Sequence, residues 1–142
     1  MKSHSKVAII GGGIMGVSLL YHLTKEGWND IVLIEKGELT SGSTWHAAGQ
    51  CPHFVGSYNS AKIHNYSNHL YQILEEETGQ PTGWHGCGSI RLALNNEDVN
   101  WFHYVKGILD NVGSPAEIIS KDEILKIHPF LKIEDALCGF HT

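Results

Sequence analysis

The run Val7-Ala8-Ile9-Ile10 leads straight into Gly11-x-Gly13-x-x-Gly16, and a second apolar run, Ile31 to Ile34, ends on the acid Glu35. Few sequence features restrict a fold as tightly. The β-branched run predicts a strand, the glycines a sharp turn, and Ile14 to Glu26, free of proline and stopped by Gly27, a helix. The continuous second run has the pattern of a parallel strand buried on both faces. Residues 5–36 therefore predict a βαβ unit, and with it an α/β, Rossmann-like domain.

Each part of that unit has a chemical use. Gly11 permits the tight turn, Gly13 lets the backbone approach a pyrophosphate, and Gly16 lets the helix pack close to the strand. The N–H groups of Ile14 and Met15 lie at the positive end of the helix. Glu35 falls where its carboxylate accepts hydrogen bonds from the ribose hydroxyls of an adenosine, and it would repel a 2′-phosphate, which disfavours NADP. NAD and FAD share this fingerprint, so the next segment must separate them.

Residues 37–60 are rich in Gly, Ser and Thr, show no sustained period, and are too many for a simple connector, which predicts an extended loop in contact with the cofactor. Its centre reads Gly42-Ser43-Thr44-Trp45-His46-Ala47-Ala48-Gly49-Gln50. The small residues let the backbone come near a ligand, and the hydroxyls of Ser43 and Thr44 suit phosphate oxygens. His46 places one imidazole beside the bound dinucleotide. When neutral it is a nucleophile able to bond the 8α carbon of a flavin, which selects FAD, and such an attachment makes the ring a better electron acceptor.

Beyond the loop, residues 60–78 predict a helix that packs through Ile63, Tyr66, Leu70, Tyr71, Ile73 and Leu74 and closes at Gly79. Residues 89–94 predict a strand, 97–112 a helix ending at Gly113, and 117–119 a short strand. Ser120 and Glu123 form a capping box for a short helix that stops before Pro129. Cys138 to Thr142 has the look of another strand beginning, so the chain is expected to be part of a longer protein. Trp84, Trp101, Phe102 and Tyr104 are expected in the core, and Glu75-Glu76-Glu77 on a solvated face.

With 142 residues, 42% of them hydrophobic, the chain has room for one modest domain. The 10 Lys and Arg are scattered through a chain of net charge −5, which argues against a nucleic-acid partner. The 3 cysteines, Cys51, Cys87 and Cys138, lie far apart and imply reduced thiols in a cytoplasmic or matrix compartment. No run is long enough to span a bilayer, and no membrane partner is expected. Despite 10 histidines and the pair Cys51-x-His53, ligand spacing for a metal is missing.

Gly11 to Gly16, Ile31 to Lys36, Gly42 to Gln50, Leu70 to Gly79 and Gly88 to Ala93 together resemble the N-terminal part of the dimethylglycine dehydrogenase and sarcosine dehydrogenase family. These are amine-oxidising flavoenzymes of the D-amino-acid oxidase fold. The resemblance covers nearly the whole chain, and Ser-Thr-Trp-His-Ala-Ala-Gly is its most specific stretch. It implies covalent FAD on His46, Glu35 and Lys36 at the adenosine end, and Gly42 to Gln50 around the pyrophosphate and flavin.

The resemblance also implies a reaction: oxidation of the N-methyl group of a small methylated amine by hydride transfer to the flavin. The carbon leaves as formaldehyde or passes to tetrahydrofolate, and the electrons go to an electron-transfer flavoprotein or to oxygen. Catalytic residues and a folate-binding domain would lie later in the sequence, so this span (a βαβ unit at 5–36, a flavin-contacting loop at 37–60, continuing elements at 61–142) is one part of an FAD-binding domain and inactive alone. Location in the mitochondrial matrix follows if a transit peptide precedes it. Two alternatives stand beside this reading. One is a non-catalytic homologue similar to the regulatory subunit of pyruvate dehydrogenase phosphatase, which lacks a histidine corresponding to His46; the other is a NAD-linked dehydrogenase.

Overall fold

The computed structural model describes residues 3–142, which divide at Gln50 and Cys51 into two compact units. The first contains β1 (Val7–Ile10), α1 (Ile14–Lys25) and β2 (Ile31–Ile34). Strands β1 and β2 pair in parallel, with Val7 opposite Ile31 and Ile10 opposite Ile34. The Gly11 amide extends the ladder by donating to the Ile34 carbonyl at 2.8 Å. Gly27, at φ +85, turns the chain after α1 at little cost because it carries no Cβ.

Burial in this unit departs from the expectation for a parallel sheet. Ile9 is buried under α1, but Ile10 is 86% exposed and Ile34 is also exposed. Two strands and one helix cover one sheet face only, so the residues that alternate outward have nothing to pack against.

The second unit contains α2 (Tyr58–Thr78), β3 (Ile90–Ala93), α3 (Asn96–Val112), β4 (Glu117–Ile119), α4 (Lys121–Ile127) and β5 (Cys138–His141). Strand β5 lies between β3 and β4 and pairs antiparallel with both. Helix α3 is capped at both ends: Asn95 Oδ1 accepts the Asp98 amide, and Gly113 in the left-handed region closes a Schellman turn in which the Ser114 amide donates to the Leu109 carbonyl at 2.9 Å. The Ser120–Glu123 capping box forms as its residue types predict.

Two apolar clusters hold this unit. Ala61, Ala93, Phe102, Val105, Leu109 and Phe140 form the larger, and Phe54 meets Phe102 and Phe140 edge to face. Ile119, Ile124, Ile133 and Ala136 form the smaller, beneath α4. Helix α2 buries Ala61 and Asn68, whereas Ile63 is 65% exposed and Tyr66 is exposed, contrary to the packing face expected from its apolar residues. Ala61 and Asn68 lie two turns apart on one stripe, and the small alanine admits close approach. Of the aromatics expected in the core, Phe102 is buried, but Trp101 and Tyr104 are exposed and stack on each other with ring centroids 5.1 Å apart. They sit on the outer side of α3, each one residue before a member of its buried Phe102–Val105–Leu109 stripe.

Candidate functional site: a dinucleotide cradle

The site is built on the glycine turn between β1 and α1. Gly11 adopts φ +106, a conformation open to glycine and strained for other residues. A Cβ on Gly16 would run into the Gly11 carbonyl, so the close seating of α1 on the turn depends on both glycines. Gly12 is buried, and a Cβ there would lie 2.6 Å from Leu39 Cδ2 and 3.1 Å from Glu35 Cβ.

Glu35 faces that turn from the end of β2. Its Oε2 accepts the Gly12 amide at 2.6 Å and its Oε1 accepts the Gly37 amide at 2.9 Å. The Gly12 and then the Gly37 hydrogen bond hold the carboxyl below the usual glutamate range. Each oxygen retains a lone pair, so the carboxylate fixes the turn and keeps acceptor capacity to spare.

Residues 39–47 form a succession of turns rather than an open loop. They are fastened to the glycine turn at two points: the Thr40 amide donates to the Gly12 carbonyl at 2.9 Å, and the Ile14 amide donates to Thr44 Oγ1 at 2.9 Å. Between the two stretches lies an open groove of about 500 Å³, within the range of about 300–1,000 Å³ common for small-molecule sites. Its lining includes Gly11, Gly13, Ile14, Met15, Gly16, Glu35, Lys36, Gly42, Ser43, Thr44 and Ala47. Trp45, His46, Ala48, Gly49 and Gln50 stand outside the lining and are exposed.

His46 has a defined tautomer. Its Nδ1 lies 2.9 Å from the Gly42 carbonyl oxygen, which can only accept, so Nδ1 carries the proton of the neutral ring and the lone pair is on Nε2. The ring sits on a turn whose residues Gly42, Ser43, Thr44 and Ala47 line the groove.

Ile10, Thr40 and Ser41 also line the groove, and Gly12 and Gly37 hold the carboxylate, although the glycine pattern alone does not single them out. Thr40 carries a signal only in the backbone: among the described residues it is the non-glycine residue with positive φ, at +66. In the second unit, His53 makes hydrogen bonds through both ring nitrogens, to Ser114 and Asn68, which leaves neither for a metal. Cys51 beside it is exposed and unpaired.

Comparison with known proteins matches residues 6–142 to the family described as FAD dependent oxidoreductase. Dimethylglycine dehydrogenase of Rattus norvegicus, a mitochondrial protein, is 46% identical over 141 residues, which are 99% of this chain and 16% of that protein. The mitochondrial pyruvate dehydrogenase phosphatase regulatory subunit of Mus musculus is 44% identical over 142 residues, again 16% of its length. Among solved structures, L-proline dehydrogenase from P. horikoshii aligns with all of this chain and 37% of its own, at a TM-score of 0.90 and 26% identity. The chain thus spans about 16% of the length of these curated relatives. With that match running through the glycine turn, its carboxylate and the turns beyond them, the chain belongs to the FAD dependent oxidoreductase family and is similar to dimethylglycine dehydrogenase and sarcosine dehydrogenase.

Proposed function

We propose that this chain is the cofactor-binding part of a flavin-dependent amine dehydrogenase that oxidises the N-methyl group of dimethylglycine, with sarcosine as the second candidate, and that its FAD is tethered to His46. The observation that carries the proposal is the hydrogen bond that makes His46 Nδ1 the donor and leaves the lone pair on Nε2, on a turn clamped to the glycine turn. The identity to dimethylglycine dehydrogenase over 99% of the chain supports the substrate class.

The residues fit FAD. The glycine turn presents a surface without side chains where a pyrophosphate must come close, and the N-terminus of α1 adds its positive dipole. Ser43 and Thr44 offer hydroxyls to phosphate oxygens, Glu35 accepts from a ribose, and Lys36 adds a positive charge at the adenosine end. The Gly42–Gln50 segment borders the pyrophosphate and the ring, and small residues at Ala47, Ala48 and Gly49 let it do so. FAD, when bound, supplies a two-electron acceptor for hydride from the methyl carbon.

Residues that bind the amine and adjust its protonation belong to the remaining length of the protein. So does any site for tetrahydrofolate, electron-transfer flavoprotein or oxygen. The names of the relatives favour the mitochondrial matrix, and among the described residues no helix is long and apolar enough to cross a membrane.

The similarity to the phosphatase regulatory subunit favours a second reading, a flavoenzyme-like fold used for regulation. One experiment separates the two. One portion of full-length holoprotein is denatured, its flavin fluorescence followed and the peptide carrying His46 weighed, while dimethylglycine and sarcosine are offered as electron donors to a native portion. A His46 adduct with turnover of a methylated glycine supports the enzyme; neither adduct nor turnover supports the regulatory reading.

A further inference from the structure

We infer that Thr44 is a positioning residue for covalent attachment: its hydroxyl caps α1 from a separate segment of chain and thereby sets His46 beside the ring. The inference rests on the reading of His46 as the tether.

The N-cap of α1 is a glycine, Gly13, which has no side chain to cap it. Thr44 supplies the missing acceptor, taking the Ile14 amide at 2.9 Å from 30 residues away in sequence. Among residues 41–50 only Thr44 is even half-buried. Every other side chain in that span is exposed, so beside the Thr40–Gly12 backbone bond the contact with α1 is the side-chain anchor of the segment. Gly13 matches it, since a Cβ there would come within 3.1 Å of Thr44 Oγ1.

The anchor is coupled to His46 through short turns. The His46 amide donates to the Ser43 carbonyl at 3.2 Å, the Ala47 amide donates to the Thr44 carbonyl at 3.3 Å, and the His46 ring donates to the Gly42 carbonyl. Loss of the Thr44 hold therefore unties the backbone that carries the imidazole from α1. Thr44 Oγ1 accepts from Ile14 and keeps its own proton for a phosphate oxygen, so one hydroxyl registers the segment against both the helix and the cofactor. Ser43, exposed and without such a contact, has no comparable hold.

Attachment exchanges one C–H bond of the ring methyl and the imidazole N–H for a C–N bond at Nε2. The electron pair and two protons released end on dioxygen as hydrogen peroxide. The rate of such a step depends steeply on placement of the nucleophile, and a displacement of about 1 Å costs about 100-fold.

The test compares full-length wild type, Thr44→Val, Thr44→Ser and His46→Ala. Each is incubated as apoprotein with FAD in air, and the covalent fraction is followed by fluorescence of denatured protein and by the mass of the His46 peptide. Thr44→Val, which keeps shape but loses the acceptor, is expected to hold FAD that acid releases and to attach it about 100-fold more slowly. Thr44→Ser is expected to attach it at nearly the wild-type rate, and His46→Ala not at all. If Thr44→Val attaches FAD as fast as wild type, or binds none, or if Thr44→Ser behaves like it, the positioning role is wrong while the tether stands. If wild type itself carries no adduct on the His46 peptide, the tether is wrong and the inference falls with it.

Discussion

His53 and Ser114, 61 residues apart in sequence, meet at 2.6 Å between Nδ1 and Oγ. The other ring nitrogen faces Asn68 Nδ2 at 3.0 Å. An amide nitrogen donates, so Nε2 holds the lone pair and Nδ1 gives its proton to the serine. Burial, and then the neighbouring His64, hold the His53 pKa below its usual value. The groups around it are Asn68 and His64 on α2 and Ser114 after α3, and none is a carboxylate. The unfolded chain protonates this histidine at an ordinary value, near 6.5, while the folded one resists. The contribution to stability is therefore full above that value and is lost as pH falls through it toward the lower folded value. Thermal unfolding measured between about pH 8 and about pH 5 should show a falling midpoint, and His53→Gln should remove this part of the slope. An unchanged slope in the variant would assign the pH dependence to other groups.

The same network predicts how its members respond to truncation. Ser114 is 4% exposed and Asn68 3%, so no solvent stands ready to replace either partner. Ser114→Ala leaves the Nδ1 proton of His53 unmatched and should cost about 1–3 kcal/mol, read as a lowered unfolding midpoint in urea. Asn68→Ala should cost a similar amount, and the double variant less than the sum, because both act through one ring. Strict additivity would show that the two contacts are independent.

What could be read from residues alone follows a physical divide. The βαβ unit, the Gly79 and Gly113 stops and the Ser120–Glu123 box are local patterns, and each element forms where its residue types place it. The insertion of β5 between β3 and β4 is non-local: three short strands carry no mark of their order. Ile63 and Tyr66 fall at helical spacing yet face outward, since spacing finds a stripe without saying which stripe meets a core. At the cradle, Gly11, Gly16 and Glu35 were legible from the turn they must make. The double hold of Glu35 on Gly12 and Gly37, and the reach of Thr44 to Ile14, depend on how 39–47 folds back, which no periodicity encodes.

Glu35 gives a prediction about the cofactor. With one oxygen on Gly12 and the other on Gly37, it needs two acceptors, and a glutamine offers one acceptor and one donor. Binding is best measured in a His46→Ala background, where any FAD is exchangeable. There, Glu35→Gln should weaken FAD by about tenfold, equivalent to one lost hydrogen bond, and Glu35→Ala by more. The amide bonds from Gly12 and Gly37 depress the carboxyl, so it stays charged below the ordinary glutamate value. Its hold on the turn is present above that value and fails as pH drops through the depressed one. FAD titrations at falling pH should show affinity lost later in the parent than an ordinary glutamate would allow. Equal affinities for parent and Glu35→Gln would remove the carboxylate from the site.

Gly139 tests the packing of the second unit. It lies in β5 beneath α4, where a Cβ would stand 2.8 Å from Ile124 Cδ1, 2.9 Å from Ile124 Cγ1 and 3.2 Å from Ile119 Cγ1. Ile124 is fully buried, so it has little room to yield. Gly139→Ala overpacks this contact and should cost about 1–3 kcal/mol. Ile124→Val removes the Cδ1 methyl and by itself leaves a gap costing about 0.5–1.5 kcal/mol. In combination the new methyl fills part of the space that the lost one vacates, so the double variant should be more stable than the sum of the single losses. Denaturant unfolding of the four proteins measures the coupling directly. A loss in Gly139→Ala that Ile124→Val does not relieve would place the clash at Ile124 Cγ1, which valine keeps, or at Ile119 Cγ1, and not at the Cδ1 methyl.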